Sequence, residues 1–209
     1  METILRGRSK QVKISPQGGF TMIGEKINPT GRKKLAAALL EGNLDYVRDL
    51  AQAQVDAGAD ILDVNMGVPG VDEPALMHTV VTMLAGSFDL PFCLDSADPK
   101  TLAAGLAVTP GKALINSVNA KPASLDAVLP LAKEYSAAVI GLTMDADGIP
   151  ATAPARLAAA GKIIEAAARY GISSADVVID PLVLTVGADS QAAAITLQTI
   201  ALLRAEFGV

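Results

Sequence analysis

Four carboxylate or amide side chains follow short apolar runs at separate places in the sequence, and these residues are the best suited to chemistry. They are Asp63, Asp95, Asn116 and Asp180. A short apolar run predicts a strand buried on both faces. Because an unpaired buried carboxylate is costly, each polar residue is expected at the rim of the core. Parallel strands that alternate with helices bring such residues to one edge, so the sequence predicts a single polar site.

Glu25 and Asn65 are expected to join this ring of polar side chains. Carboxylates accept hydrogen bonds from amino and ring N–H groups, and an asparagine both donates and accepts, so the ring suits a flat, nitrogen-rich ligand. A metal site is less favoured, because the acids do not cluster in one loop and the single histidine, His78, lies in a predicted helix. The alternative to any site is that these side chains only cap the following helices. Their recurrence at four strand ends favours the site.

Strands and helices alternate along the chain, which predicts a parallel α/β fold. The strands are predicted at 20–27, 60–64, 92–94, 112–115, 137–142 and 177–179. The helices are predicted at 33–40 (capped by Thr30), from 44 to 57, from 72 onward, and at 99–107, 123–135, 155–170 and 190–207. Residues 1–19 form a basic lead, predicted as an edge strand or hairpin, and residues 20–209 form the main domain.

Six strand–helix units are fewer than the eight of a full (β/α)₈ barrel, which usually takes about 250 residues. The predicted fold class is therefore α/β, as an incomplete TIM-type (β/α)₈ barrel or a six-unit open sheet. Uncovered edges on the first and sixth strands favour association between copies, so a homo-oligomer, most simply a dimer, is expected.

The composition excludes several classes of protein. Apolar residues make up 51% of the 209 residues and charged residues 19%, so disorder is not expected. A net charge of −5 and 3% aromatic residues disfavour nucleic-acid binding. No uninterrupted apolar run is long enough to cross a membrane, and no signal peptide is recognisable. Cys93 is the single cysteine, expected as a buried apolar residue in a cytoplasmic protein.

Several motifs together carry a resemblance to a known family. They are Gly-Glu-Lys-Ile-Asn-Pro-Thr-Gly at 24–31, Leu-Asp-Val-Asn at 62–65, Leu-Asp-Ser at 94–96, Ile-Asn-Ser at 115–117, Gly-Leu-Thr-Met at 141–144 with Gly-Ile-Pro at 148–150, and Ile-Asp-Pro-Leu at 179–182. In this order they resemble the pterin-binding family. The nearest resemblance is to methyltetrahydrofolate:corrinoid methyltransferases, including the folate domain of cobalamin-dependent methionine synthase. The resemblance covers about residues 20–209.

The resemblance implies a pterin pocket at the carboxyl-terminal mouth of a (β/α)₈ barrel. Asp95, Asn116 and Asp180 would bond the pterin ring, with Glu25, Asp63, Asn65 and Ser117 nearby. The implied reaction, part of one-carbon metabolism, moves a methyl group between N5 of methyltetrahydrofolate and the cobalt of a corrinoid protein. Cobalamin would be carried by a partner protein, because no Asp-x-His-x-x-Gly segment occurs in the sequence.

The resemblance leaves the catalytic residue unassigned and two other functions open. The family carries an Asn-Val-Ser segment on its seventh strand, and no such segment occurs in this sequence. A dihydropteroate synthase-like enzyme is the second candidate, although that family typically has Asn-Asp where this chain has Asn116-Ser117. The third candidate is a pterin-binding module without catalytic activity.

Overall fold

The computed structural model of the chain describes residues 1–185, 187 and 190–208. Its strands are β1 (Thr3–Arg6), β2 (Gln11–Ile14), β3 (Ile23–Ile27), β4 (Ile61–Asn65), β5 (Phe92–Asp95), β6 (Leu114–Asn119), β7 (Ala138–Leu142) and β8 (Val177–Asp180). Its helices are α1 (Lys33–Leu40), α2 (Leu44–Asp56), α3 (Glu73–Ser87), α4 (Pro99–Leu106), α5 (Pro122–Glu134), α6 (Ala153–Arg169) and α7 (Ala192–Phe207). Val209, the predicted end of the main domain, lies outside the described residues.

Strands β3 to β8 form one parallel sheet, in which the order of the strands is their order in the chain. Helices connect consecutive strands, as a parallel sheet requires. Within the described residues β3 and β8 each pair on one side only, so the sheet forms six units of a (β/α)₈-type barrel and does not close. The predicted α/β class is confirmed.

Alternate residues of each strand face opposite sides of the sheet, and both sides are apolar along most of their length. Leu94 and Val139 pack outward against helix residues such as Leu84 and Ile163. The inward-facing residues form a second buried cluster; they include Ile61, Cys93, Leu114 and Ala138. The space on this inner side is called the lumen below.

The antiparallel hairpin of β1 and β2 closes the amino-terminal end of the lumen. Leu5 and Val12 of the hairpin join the inner apolar cluster. Arg6 exchanges two backbone hydrogen bonds of 3.1 and 2.9 Å with Lys112, which precedes β6. The Thr3 hydroxyl donates to the Ala175 carbonyl, just before β8, at 2.6 Å. The hairpin therefore blocks the amino-terminal end of the lumen as a route for a ligand.

Most helix starts follow from local chemistry. Asn43, Asp72, Asp98 and Thr152 each accept a backbone N–H of the helix that they precede. These side chains satisfy donors that the first turn of a helix leaves unpaired. Proline occupies an early position in α3, α4, α5 and α6, where its missing N–H is harmless.

Three details of the sequence prediction are wrong. Phe20 is fully exposed and precedes β3, because pairing with β4 begins at Ile23. Thr30 does not cap α1, whose capping position is held by Arg32 without a side-chain hydrogen bond. Asn116 does not end its strand, because β6 continues to Asn119 through a register shift that keeps it paired with β7.

Candidate functional site

Three of the predicted site residues stand side by side in one row across the sheet. Asn65, Asp95 and Asn116 are register partners on β4, β5 and β6. Asp95 follows the inward-facing Cys93 by two positions, so this row also faces the lumen. Asp63 lies one layer deeper on the same face, beside Cys93. The structure therefore brings together four polar side chains that are distant in sequence.

One oxygen of Asp95 is held by its neighbours. Oδ2 accepts a hydrogen bond of 2.9 Å from the Asn65 amide and a longer one of 3.5 Å from the Asn28 amide. Burial raises the pKa of Asp95 above its ordinary value, the Asn65 hydrogen bond opposes this rise, and the negative charges of Glu73 and Glu25 add to it. Within the described part of the chain, no protein donor reaches Oδ1 of Asp95.

Asp63 is almost fully buried, with 4% of its surface exposed, and it supports Asn116 from below. The Asn116 amide Nδ2 donates to Asp63 Oδ2 at 3.2 Å. Burial raises the pKa of Asp63 to about 6, hydrogen bonds from Cys93 and Asn116 oppose this rise, and the charges of Asp95 and Glu25 add to it. With Nδ2 directed to Asp63, the amide oxygen of Asn116 remains available to accept from a ligand.

Asp180 lies one layer nearer the mouth than the row of three. Asn116 is in register with Ile140 and Val178, and Asp180 follows Val178 by two positions on the same face. The backbone N–H of Leu182 donates to Asp180 Oδ1 at 2.8 Å. In the described residues, Oδ2 of Asp180 has no donor.

Asp95, Asn116 and Asp180 thus share one arrangement: one polar atom of each is fixed by the protein, and one acceptor oxygen is left for a ligand. Fixed acceptors lose little freedom on binding, which favours recognition of a ligand rich in N–H groups. The burial of Cys93 is confirmed, and burial beside Asp63 raises the pKa of its thiol well above the ordinary value. This thiol is therefore neutral and acts as a hydrogen-bond donor, not as a nucleophile.

The remaining two predicted residues are placed differently. Glu25 is exposed on β3, and it acts on the site through its charge, which raises the pKa of both Asp63 and Asp95. Ser117 is half-buried and follows Asn116 through a cis peptide bond. Its hydroxyl makes no hydrogen bond to the described residues.

Four residues that were not predicted as site residues also lie at the site. Asn28, which follows β3, donates to Asp95, and Glu73, the first residue of α3, accepts the Ser96 hydroxyl at 2.7 Å and raises the pKa of Asp95 through its charge. Asn119 shares a register row with Leu142 and hence with Asp180, because of the register shift in β6. Arg156 lies in an alanine-rich helix that carried no signal of function.

The described residues lack two kinds of feature. Among residues 1–185, 187 and 190–208, no group of three or more His, Cys, Asp and Glu side chains is arranged to hold a metal ion. Nor does any helix in that part of the chain have the length and apolarity needed to cross a membrane.

Sequence comparison supplies a family and named relatives. Residues 24–209 match the model of the family described as pterin binding enzyme. The chain is 32% identical over 181 residues to methionine synthase from Mycobacterium tuberculosis, covering 84% of this chain and 15% of that protein. It is 28% identical over 174 residues to methylcorrinoid:tetrahydrofolate methyltransferase from Eubacterium limosum, covering 81% of this chain and 63% of that protein. The chain thus spans less than two thirds of either relative.

Solved structures share the fold. A dihydropteroate synthase from Yersinia pestis superposes with a TM-score of 0.68 at 20% identity, covering 98% of this chain and 73% of that one. A dihydropteroate synthase from Xanthomonas albilineans superposes with a TM-score of 0.65 at 22% identity, covering 100% of this chain and 75% of that one. At these identities the likeness concerns the fold alone.

Proposed function

This chain belongs to the pterin-binding enzyme family, and from that premise we propose that it binds methyltetrahydrofolate and takes part in methyl transfer to or from a corrinoid protein. The names of two relatives, methionine synthase and methylcorrinoid:tetrahydrofolate methyltransferase, support a transferase of this kind. The sequence contains no Asp-x-His-x-x-Gly segment, so the corrinoid is assigned to a partner protein.

The observation that carries the proposal is the set of fixed acceptors at the mouth of the lumen. Asp95, Asn116 and Asp180 each keep one oxygen directed away from their protein partners. A pterin presents an amino group and ring N–H groups along one edge, which such oxygens accept. Asn65 and Asp63 then orient Asp95 and Asn116 and do not contact the ring themselves.

The charges of the polar side chains at the mouth of the lumen suit the transfer of a methyl group from nitrogen. A neutral amine nitrogen is a poor leaving group, so N5 must take up a proton before or while its bond to the methyl group breaks and the electron pair of that bond returns to nitrogen. Carboxylate oxygens fixed nearby favour the protonated, cationic nitrogen without reorganisation. The raised pKa of Asp95 brings this acid closer to neutral pH, where it can exchange a proton with the ligand, as general acid–base catalysis requires.

The lumen lacks the groups expected for two other routes. The single cysteine, Cys93, is buried below the ring with a neutral thiol, so a covalent methyl–enzyme intermediate is not proposed. The single histidine, His78, is exposed on α3, so the lumen offers no imidazole to a cobalt ion. Cobalamin is therefore treated as the partner's methyl carrier, which supplies a cobalt centre that accepts or donates the methyl group.

The deciding experiment titrates the chain with 5-methyltetrahydrofolate by calorimetry, then adds a reduced corrinoid protein and follows the corrinoid spectrum. Saturable folate binding that is lost in Asp95→Ala, followed by methylation of the corrinoid, is the expected result. Folate binding without methyl transfer would instead identify a binding module. Condensation of p-aminobenzoate with a pterin, without binding of methyltetrahydrofolate, would identify a dihydropteroate synthase-like enzyme.

Three further expectations accompany this proposal. The pterin-binding domain is assigned to residues 20–209, the chain is expected to form a homodimer, and a cytoplasmic location is expected. Sedimentation of the purified chain measures the oligomeric state directly, and a monodisperse monomer would contradict the dimer.

A further inference from the structure

Arg156 occupies an electrostatically unfavourable position. Its side chain is among the largest fully buried ones of the protein, with 2% exposure. It lies in the first turns of α6, where the helix dipole repels a cation, and the first turn of α6 has no acidic residue. No carboxylate of the described residues forms a salt bridge with it. Stability alone would favour a neutral residue at this position. The role of Arg156 must therefore follow from the groups that it contacts.

Among the described residues, the guanidinium group of Arg156 bonds only to uncharged oxygens, and most of them belong to two loops at the mouth of the lumen. Nε donates to the carbonyl of Pro150, in the loop after β7, at 2.9 Å. Nη1 donates to the carbonyls of Pro181 at 2.9 Å and Leu182 at 2.7 Å, both directly after β8. Arg156 therefore ties the end of β8 to α6 and to the preceding loop.

Leu182, which receives one of these bonds, has a backbone conformation that leucine rarely adopts. Its φ angle is 59°, in the left-handed region, which is unfavourable for residues other than glycine. Its carbonyl is also 2.7 Å from the hydroxyl of Thr196 on α7. In this conformation the Leu182 N–H points back to Asp180 Oδ1. The Arg156 bond to the Pro181 carbonyl therefore holds the peptide whose N–H fixes Asp180, and the two bonds to the Leu182 carbonyl hold the next peptide.

We propose that Arg156 is a positioning residue for Asp180: it holds Leu182 in the left-handed conformation, so that one carboxylate oxygen is fixed and the other faces the ligand. This inference rests on the proposed function, in which Asp180 binds the pterin. Thr196 assists from α7 by the same contact. Neither Arg156 nor Thr196 touches the pterin in this arrangement.

The test is a double-mutant cycle that measures the dissociation constant of 5-methyltetrahydrofolate by calorimetry. Arg156→Met keeps most of the side-chain volume and is expected to weaken binding about tenfold, the effect of roughly one well-placed hydrogen bond. In an Asp180→Ala background the same substitution should have almost no further effect, because the carboxylate that it positions is gone. Equal weakening in both backgrounds, or no weakening in the first, would overturn the proposal.

A milder pair of variants covers the case in which Arg156→Met does not fold. Thr196→Val removes the hydroxyl that contacts the Leu182 carbonyl, Arg156 and the Ala192 carbonyl, and it is expected to weaken folate binding severalfold. Thr199→Val is the matched control, because Thr199 lies on the same helix and, in the described part of the chain, its hydroxyl bonds only the Ile195 carbonyl of that helix, at 2.7 Å. Equal affinities of the two valine variants would contradict a role for the Leu182 contact.

A second measurement separates this proposal from the proposed function. If the wild-type chain does not bind methyltetrahydrofolate, the proposed function fails, but the effect of the Arg156 and Thr196 contacts on Leu182 can still be measured. Amide hydrogen exchange at Leu182 is expected to be slow in the wild type, and at least tenfold faster in Thr196→Val than in Thr199→Val. An equal exchange rate at Leu182 in the two variants would refute the positioning of Leu182 by these contacts, whatever the ligand is.

Discussion

The two ends of the lumen are built from the same strands but have opposite chemistry. At the amino-terminal end Cys93 and Leu114 face Leu5 and Val12 of the hairpin in a buried apolar cluster. Two positions further along the same strands, Asp95 and Asn116 replace the apolar residues. One end therefore contributes stability through burial, and the other provides hydrogen-bonding groups at the cost of desolvating them.

The comparison shows how a parallel sheet tolerates acids so close to its core. The polar residues of the carboxyl-terminal end support one another in pairs: Asn65 holds Asp95, and Asp63 holds Asn116. In each pair, one polar atom of Asp95 or Asn116 has a hydrogen-bond partner and one acceptor oxygen is left for a ligand. The single hydrogen bond keeps the side chain in place. The amino-terminal end needs no such pairs because packing alone fixes its side chains.

The largest expected effect comes from breaking the amino-terminal end. Leu5 is fully buried in the inner cluster, so Leu5→Ala should lower the free energy of unfolding by about 2–5 kcal/mol through lost burial and a cavity. Folate affinity of the folded fraction should stay unchanged. Urea denaturation measures the first quantity and calorimetry the second. Leu40→Ala is the matched control, because Leu40 is 58% exposed and should cost little.

The next effect breaks the carboxyl-terminal end and leaves the amino-terminal end intact. Asp95→Ala should weaken folate binding by roughly 100-fold, because a hydrogen bond to a charged group contributes about 1.5–3 kcal/mol and the Asn65 amide also loses its acceptor. Stability should change much less than in Leu5→Ala. Calorimetric titration provides the measurement, and unaltered affinity would show that the ring does not hold the ligand.

Asp63 lies at the boundary between the two ends, and its protonation sharpens the comparison. Its pKa is raised from 3.8 to about 6, so the folded protein binds a proton more tightly than the unfolded chain. The stability that this provides is complete below pH 3.8 and is lost as the pH rises through about 6. Wild-type stability should therefore fall by on the order of 2 kcal/mol more than that of Asp63→Asn between pH 4 and 8.

Denaturation curves at several pH values test this difference. Asp89 offers a control, because hydrogen bonds from Ser9 lower its pKa to about 2, so its contribution is lost only at more acidic pH. Asp89→Asn should therefore parallel the wild type between pH 4 and 8. If the Asp63→Asn curve is also parallel to the wild type, the boundary position of Asp63 has no electrostatic consequence.

The sequence predicted the elements better than their contacts. Apolar runs and turn residues located all six core strands, and the α1 boundaries, Lys33–Leu40, match the prediction. The extension of β6 beyond Asn116 was missed, because a register shift depends on pairing with β7 and not on local pattern. The first strand was predicted to begin at Phe20, whereas β3 begins at Ile23, where pairing with β4 begins, and Phe20 is fully exposed.

The residues of the candidate site also divide into those that the sequence predicted and those that depend on contacts with distant parts of the chain. That Asp95 and Asn116 lie side by side could be predicted from the sequence, because each follows an apolar run and the two runs form neighbouring parallel strands. Asn28 and Arg156 could not, since each acts through a contact with residues far away in the chain: Asn28 with Asp95, and Arg156 with Leu182. Local composition describes Asn28 as part of a turn and Arg156 as part of an alanine-rich helix, and both descriptions are correct but incomplete.

The smallest expected effect distinguishes a site residue from its near neighbour. Asp98 lies at the same end of the molecule as Asp95, but its side chain accepts from the Lys100 N–H and the Thr101 hydroxyl, each at 3.1 Å, and so caps α4. Asp98→Ala should cost about 1 kcal/mol of stability and leave folate affinity unchanged. Thermal unfolding and calorimetry on Asp95→Ala and Asp98→Ala in parallel provide the contrast. Equal folate affinities in the two variants would mean that Asp95 does not bind the folate, although its side chain faces the lumen.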